Sequence, residues 1–91
     1  MYVILVYDIS KEGNGSKRWN RVFKLCKQNL EHVQKSVFEG DISESDLFKL
    51  EHLIEKEIDE TCDSVIVFKS RNSRWLDKNI IGLAQDDINF I

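Results

Sequence analysis

Apolar residues along this chain recur with two different periods, and the changes of period mark its elements. Met1 to Asp8 reads MYVILVYD, a run of β-branched, aromatic and aliphatic side chains with no charge until Asp8. That is the pattern of a buried strand ending on a carboxylate. From Ile9 to Ser16 the apolar signal lapses, and Ser10, Asn14, Ser16 and two of the four glycines predict a loop. Helical spacing then takes over: Trp19, Val22, Phe23, Cys26 and Leu30 form one stripe, with Ser16 as the expected cap and Asn29 as the stop.

The stretch LEHVQKSVFEGDIS has strand character at Val33, Val37 and Phe38, with Gly40 as a kink or turn. It is long enough for one bent strand or for two short ones. A second helix follows, capped by Ser43 with Asp46 three residues on, its stripe Leu47, Leu50, Ile54 and Ile58 broadened by Phe48 and Leu53. Asp63 and Ser64 lead into a strand from Val65 to Phe68, and Arg71 to Arg74 read as a polar turn before Trp75 and Leu76. The tail, residues 79–91, carries Ile80, Ile81, Leu83, Ile88, Phe90 and Ile91, which is apolar for a terminus.

Strand, helix, extended segment, helix, strand predicts an α+β ferredoxin-like βαββαβ sandwich when the middle segment is a hairpin. At 91 residues the chain makes a single domain, 1–91, with 79–91 as a C-terminal extension. Both faces of the first and last strands are apolar, Val3, Leu5, Val65 and Val67 against Ile4, Val6, Ile66 and Phe68. Two helices cover only one face. The other calls for a second copy of the chain, and the C-terminal extension is expected as an extra strand paired across that homodimer or as a cover for the chain's own sheet.

A hydrophobic fraction of 42% with 32% charged residues fits a soluble globular protein rather than a disordered chain. No apolar run approaches the roughly 20 residues of a membrane span. The N-terminal stretch lacks the basic leader and cleavage site of a signal peptide. A cytoplasmic protein with reduced, buried Cys26 and Cys62 is expected, without a disulfide framework or metal knuckle. The net charge of -3 conceals an asymmetry: Ile9 to Phe38 holds seven Lys or Arg against Glu12 and Glu31, a balance of +5, whereas Glu39 to Asp63 holds ten acids against Lys49 and Lys56, a balance of -8. Such halves orient a protein toward a polyanion on one side and a basic partner on the other, or are simply solvated helix faces. Lys17, Arg21 and Lys24 lie opposite the first helix's apolar stripe and are candidate phosphate contacts; Lys11 belongs to the same basic stretch.

Asp8, on a rigid strand end beside a flexible loop, is a place for chemistry and equally an ordinary strand terminator. Ser10 has no His and Asp constellation, so serine nucleophile chemistry is unsupported. His32 and His52 have no partner at ligand spacing and read as surface residues.

VYDIS at the end of the first strand, VQKSVFEG after the first helix and DSVIVF after the second, in this order and spacing, resemble the CRISPR-associated protein 2 family from Tyr2 to about Phe68. QKSVFEG is the most specific of the three. The family is the small core subunit of the spacer-integration machinery, also described as a metal-dependent endonuclease or endoribonuclease. The resemblance implies a ferredoxin-like homodimer whose C-terminal strand joins the partner's sheet, binding a dimer of the integrase subunit on each side and holding the duplex DNA to be inserted. It implies catalytic roles for Asp8, Tyr7 and Phe38, with Asp8 as ligand to magnesium or another divalent metal, and nucleic-acid contacts at Lys17 and Arg18. Many members carry an arginine before the Val-Gln pair, where this chain has Glu31 and His32. One aspartate per chain suffices for magnesium if a twofold axis brings two copies together. Two classes of function follow: an enzyme with paired Asp8 residues cleaving RNA or DNA, and a scaffold that grips duplex phosphates without chemistry. A toxin-like RNase of the same fold is a third.

Overall fold

In the computed structural model, which describes residues 1–82, the order is β1 (Tyr2–Asp8), α1 (Gly15–Asn29), β2 (Glu31–Gln34), β3 (Val37–Asp41), α2 (Glu44–Glu57), β4 (Ser64–Ser70) and a 3-10 turn at Ser73–Trp75. The strands form one antiparallel sheet in the order β2-β3-β1-β4, the ferredoxin-like arrangement expected from the pattern. The predicted intersubunit strand falls largely on residues 83–91, outside those described.

Alternation along β1 decides the layering. Val3, Leu5 and Tyr7 are buried on the face that carries the helices, packed with Phe38 of β3, with Val22 and Cys26 of α1, and with Leu47, Leu50 and Ile54 of α2. The register puts Ile4 and Val6 on the opposite face, beside Val37 and Glu39 of β3 and Ile66 and Phe68 of β4. That face is bare over much of its area: Ile66 is 52% and Phe68 57% exposed. Glu39 is buried there by an ion pair with Lys78, from the segment following the 3-10 turn.

The stretch left open between one strand and two is a hairpin. Lys35 and Ser36 make its turn, with Lys35 in the left-handed region at φ 28°, and the β2-β3 register shifts between His32 and Gln34. The turn is fastened to β1, since the Tyr7 amide donates to the Ser36 carbonyl at 3.1 Å. Gly40 is neither kink nor turn; it lies within β3 opposite Val3, where an added Cβ would come within 3.5 Å of Leu30.

Four other expectations are corrected. Helix α1 begins at Gly15, with Asn14 as a cap that accepts no side-chain hydrogen bond, rather than at a capping Ser16. Its start is dictated by contact with the preceding loop: a Cβ on Gly15 would lie 2.0 Å from the Ser10 carbonyl oxygen, so only glycine lets the two backbones meet. Phe48 and Leu53 do not broaden the core stripe of α2 but are exposed. Cys62 is exposed in the α2-β4 turn, whereas Cys26 is buried and its thiol is pushed up to about 12 by that burial. His32 is partly buried, its ring 4.9 Å from those of both Phe23 and Phe38, with Nε2 donating to the Lys35 carbonyl at 2.7 Å. The cap of α2 is as expected: the Asp46 amide donates to Ser43 Oγ at 3.1 Å. Among the described residues no helix is long and apolar enough to cross a membrane.

Candidate functional site

Asp8 is the last residue of β1, exposed, and paired with Ser64 across the ladder to β4. Alternation places it on the bare sheet face with Ile4 and Val6. Beside it opens a cleft of about 520 Å³ between the β1-α1 loop, the start of α1 and the hairpin turn, lined by Asp8, Lys11, Ser16, Trp19, Asn20 and Ser36 among others.

What holds the loop in place is a buried ion pair. The side chain of Asp63, just before β4, is wholly buried and accepts from Arg18 Nε at 2.7 Å, from the Ser10 amide at 2.9 Å and from the Asp59 amide at 2.8 Å. Arg18 in turn donates through Nη2 to the Ser10 carbonyl at 3.3 Å and the Glu12 carbonyl at 3.4 Å. Burial works to raise the Asp63 pKa, but the Asp59 amide, the guanidinium and the Ser10 amide outweigh it and hold it at about 2. The charge is therefore present throughout the neutral range. Because the Gly15 backbone touches Ser10, the same knot fixes both where the loop runs and where α1 starts.

The residues singled out in sequence do not all gather at the cleft. Lys11 lies in it beside Asp8. Tyr7 reaches it but is almost entirely buried, edge-on to Trp19 and stacked on Phe38, with its hydroxyl partnered by no atom of the described residues. Burial, then the neighbouring Cys26, raises the Tyr7 pKa, so the phenol stays protonated. Phe38 has no exposed surface and packs beneath Tyr7 and Phe23. It touches no solvent. Arg18 is turned inward on Asp63, whereas Lys17, Arg21 and Lys24 stand exposed on one side of α1, with Arg21 3.4 Å from Glu57. Sequence reasoning missed Trp19 and Asn20 as cleft components, and Asp63 as the buried anchor of the loop that borders the cleft. Asp63 lies 45 residues from Arg18, and no local spacing announces that pairing.

Among the described residues no group of three or more His, Cys, Asp or Glu side chains is placed to hold a metal ion. One carboxylate with neighbouring hydroxyls is an oxygen donor set. It suits a hard cation that keeps most of its waters, and no second carboxylate lines the cleft among the described residues.

Comparison with known proteins agrees with this architecture. The family profile described as CRISPR associated protein Cas2 matches residues 1–78. This chain belongs to the Cas2 family. The protein named CRISPR-associated endoribonuclease Cas2 in Fusobacterium nucleatum is 49% identical over 86 residues, covering 94% of this chain and 81% of that protein. Its namesake in Methanothermobacter thermautotrophicus is 36% identical over 91 residues, covering 100% of this chain and 94% of that one. The crystal structure of Streptococcus pyogenes Cas2 at pH 6.5 superposes with a TM-score of 0.75 at 30% identity, covering 88% of this chain and 99% of that structure. A hypothetical protein from Thermus thermophilus, 23% identical with a TM-score of 0.76, shares the fold over 91% of this chain and 92% of its own.

Proposed function

We propose that this chain is a CRISPR adaptation protein, a twofold homodimer that binds nucleic acid, supports spacer insertion together with the integrase subunit, and hydrolyses phosphodiesters in a metal-dependent endonuclease reaction. The observation that carries the reading is the position of Asp8 on the same sheet face as the bare patch of Ile66 and Phe68. Covering that patch with a second copy brings two Asp8 carboxylates toward one axis. Relatives named as endoribonucleases support the reaction class.

The two Asp8 carboxylates would hold magnesium or another divalent ion, which would supply charge neutralisation at the phosphate and a water of lowered pKa. Lys11, in the same cleft, faces the non-bridging oxygens of the phosphate. Arg18 and Asp63 keep the loop bearing Ser10 and Lys11 against the strand end. Tyr7 and Phe38 act as positioning residues: their stacked rings fix the end of β1 from below, so that Asp8 is presented without freedom to retreat. The exposed stripe of Lys17, Arg21 and Lys24 grips duplex phosphates during integration.

Asp8→Asn tests the division of roles. Magnesium-dependent cleavage by the purified dimer should disappear while spacer integration with the integrase subunit persists. Loss of integration by a folded, nucleic-acid-binding Asp8→Asn dimer would overturn the assignment. The scaffold reading is favoured by one observation, that among the described residues Asp8 is the one carboxylate lining the cleft; it is the conclusion if wild type and Asp8→Asn are equally inert toward RNA and DNA in magnesium.

A further inference from the structure

The cleft beside Asp8 has an aromatic wall that hydrolysis itself does not require. Trp19 stacks on Phe23, with ring centroids 5.2 Å apart and planes at 16°, and meets Tyr7 edge-on at 5.7 Å and 68°. It nevertheless remains partly exposed and lines the cleft, whereas Val22 and Cys26 on the same helix have no exposed surface at all. Phe23, on the same stripe, is also only partly buried but does not line the cleft, so Trp19 is set apart by where its exposed edge faces. Phe23 and Tyr7 brace the indole, so it meets a ligand with little rotamer entropy left to lose. The polar side chains of Asn20 and Ser36 flank it in the same cleft, and a volume of about 520 Å³ lies in the range of small-ligand sites.

We propose that Trp19 determines specificity by stacking one unpaired nucleobase of the strand whose phosphate lies at Asp8 and Lys11, so that the cleft accepts single-stranded nucleic acid and rejects duplex. A base inside a helix has both faces covered by its neighbours, whereas an unpaired one can transfer a face to an aromatic ring. The inference rests on the reading of this cleft as the place where a polynucleotide is bound.

The experiment measures binding in EDTA, so that hydrolysis plays no part. Trp75 is 72% exposed and lies outside the cleft, and Trp75→Phe leaves Trp19 as the only tryptophan. Titrating this dimer with a single-stranded RNA tetranucleotide should quench Trp19 fluorescence saturably, and the same strand with abasic sites should bind about tenfold more weakly. That tenfold penalty should vanish in Trp19→Leu and partly return in Trp19→Phe. A duplex of the same sequence should leave the emission of Trp19 unchanged. Equal affinity for base-bearing and abasic strands, absence of saturable quenching, or an unaltered base preference in Trp19→Leu overturns the proposal. If Trp19→Leu fails to fold, the abasic comparison on the Trp75→Phe dimer decides alone. Retention of cleavage by Asp8→Asn would defeat the catalytic reading while leaving the stacking result standing.

Discussion

The two faces of one sheet are built from the same strands and nearly the same residue types, yet they fold to opposite ends. On the helix side Val3, Leu5 and Phe38 have almost no exposed surface, while across the sheet Ile66 and Phe68 are left more than half exposed. Hydropathy does not separate them; what covers them does. The first face is closed by α1 and α2 of the same chain, so its burial is part of folding. The second is left open by the described residues, and in the proposed homodimer its burial depends on concentration. Asp8 stands at the border, carried by a strand anchored on the closed face but pointing to the open one.

The sharpest way to break this contrast is a pair of truncations. Phe38→Ala empties the centre of the closed face beneath Tyr7, Phe23 and His32 and should cost about 3 to 5 kcal/mol in urea unfolding. Phe68→Ala, on the open face, should cost well under half of that at concentrations where the chain is monomeric. Similar losses at the two positions would mean that the second face is already covered within one chain.

Next in size is the knot at the sheet's end. Asp63→Ala leaves Arg18 and the Ser10 and Asp59 amides without their acceptor, a loss of roughly 3 kcal/mol for a buried paired charge. Because the folded-state pKa of about 2 lies below the ordinary value of 3.8, this stabilisation is fully present above about pH 4 and is lost as pH falls toward 2. Wild-type stability should therefore converge on that of Asp63→Ala in acid, whereas the Phe38→Ala deficit should not depend on pH. An Asp63→Ala deficit unchanged at pH 2 would show that the carboxylate's charge contributes nothing.

The elements that one stretch of chain determines by itself were legible in the sequence. β1 follows from its unbroken apolar run, α2 from its Ser43 cap and stripe, and the open face from the two-sided apolarity of β1 and β4. Asp8 was legible as a strand-end carboxylate, and the three motifs tied it to a family. What escaped depends on contacts between distant segments. The start of α1 is set by the Gly15-Ser10 approach, Arg18 is drawn inward by a carboxylate 45 residues away, and His32 is partly covered by packing on Phe23 and Phe38. Phe48 and Leu53 illustrate the converse, since helical spacing widened their stripe beyond what the sheet beneath could cover.

A smaller effect should separate association from folding. Phe68→Glu places a charge in the middle of the bare face, where a second copy would have to desolvate it, and should weaken the dimer at least a hundredfold in light-scattering or sedimentation measurements. The thermal transition of the isolated monomer should shift by only a few degrees, and magnesium-dependent cleavage should fall with the dimer population. A Phe68→Glu variant that stays dimeric would move the interface to another surface and separate the two Asp8 carboxylates from any shared axis.

The smallest expected effect concerns a third surface, the exposed side of α1, which belongs to neither face of the sheet. Lys17 and Arg21 are one helical turn apart and both exposed, and the contact of Arg21 with Glu57 is a surface pair of little energetic weight. If they contact duplex phosphates, each releases about one counterion, so Lys17→Ala with Arg21→Ala should lower the slope of log affinity against log salt by about 2. Binding should weaken similarly for all duplex sequences, because phosphate contacts carry no base information. Trp19 faces the cleft rather than this stripe, so single-stranded tetranucleotides should bind the double variant nearly as well as wild type. A salt slope that stays the same for duplex but drops for single strands would place both cations at the cleft, and the separation between gripping a duplex and seating an unpaired base would be lost.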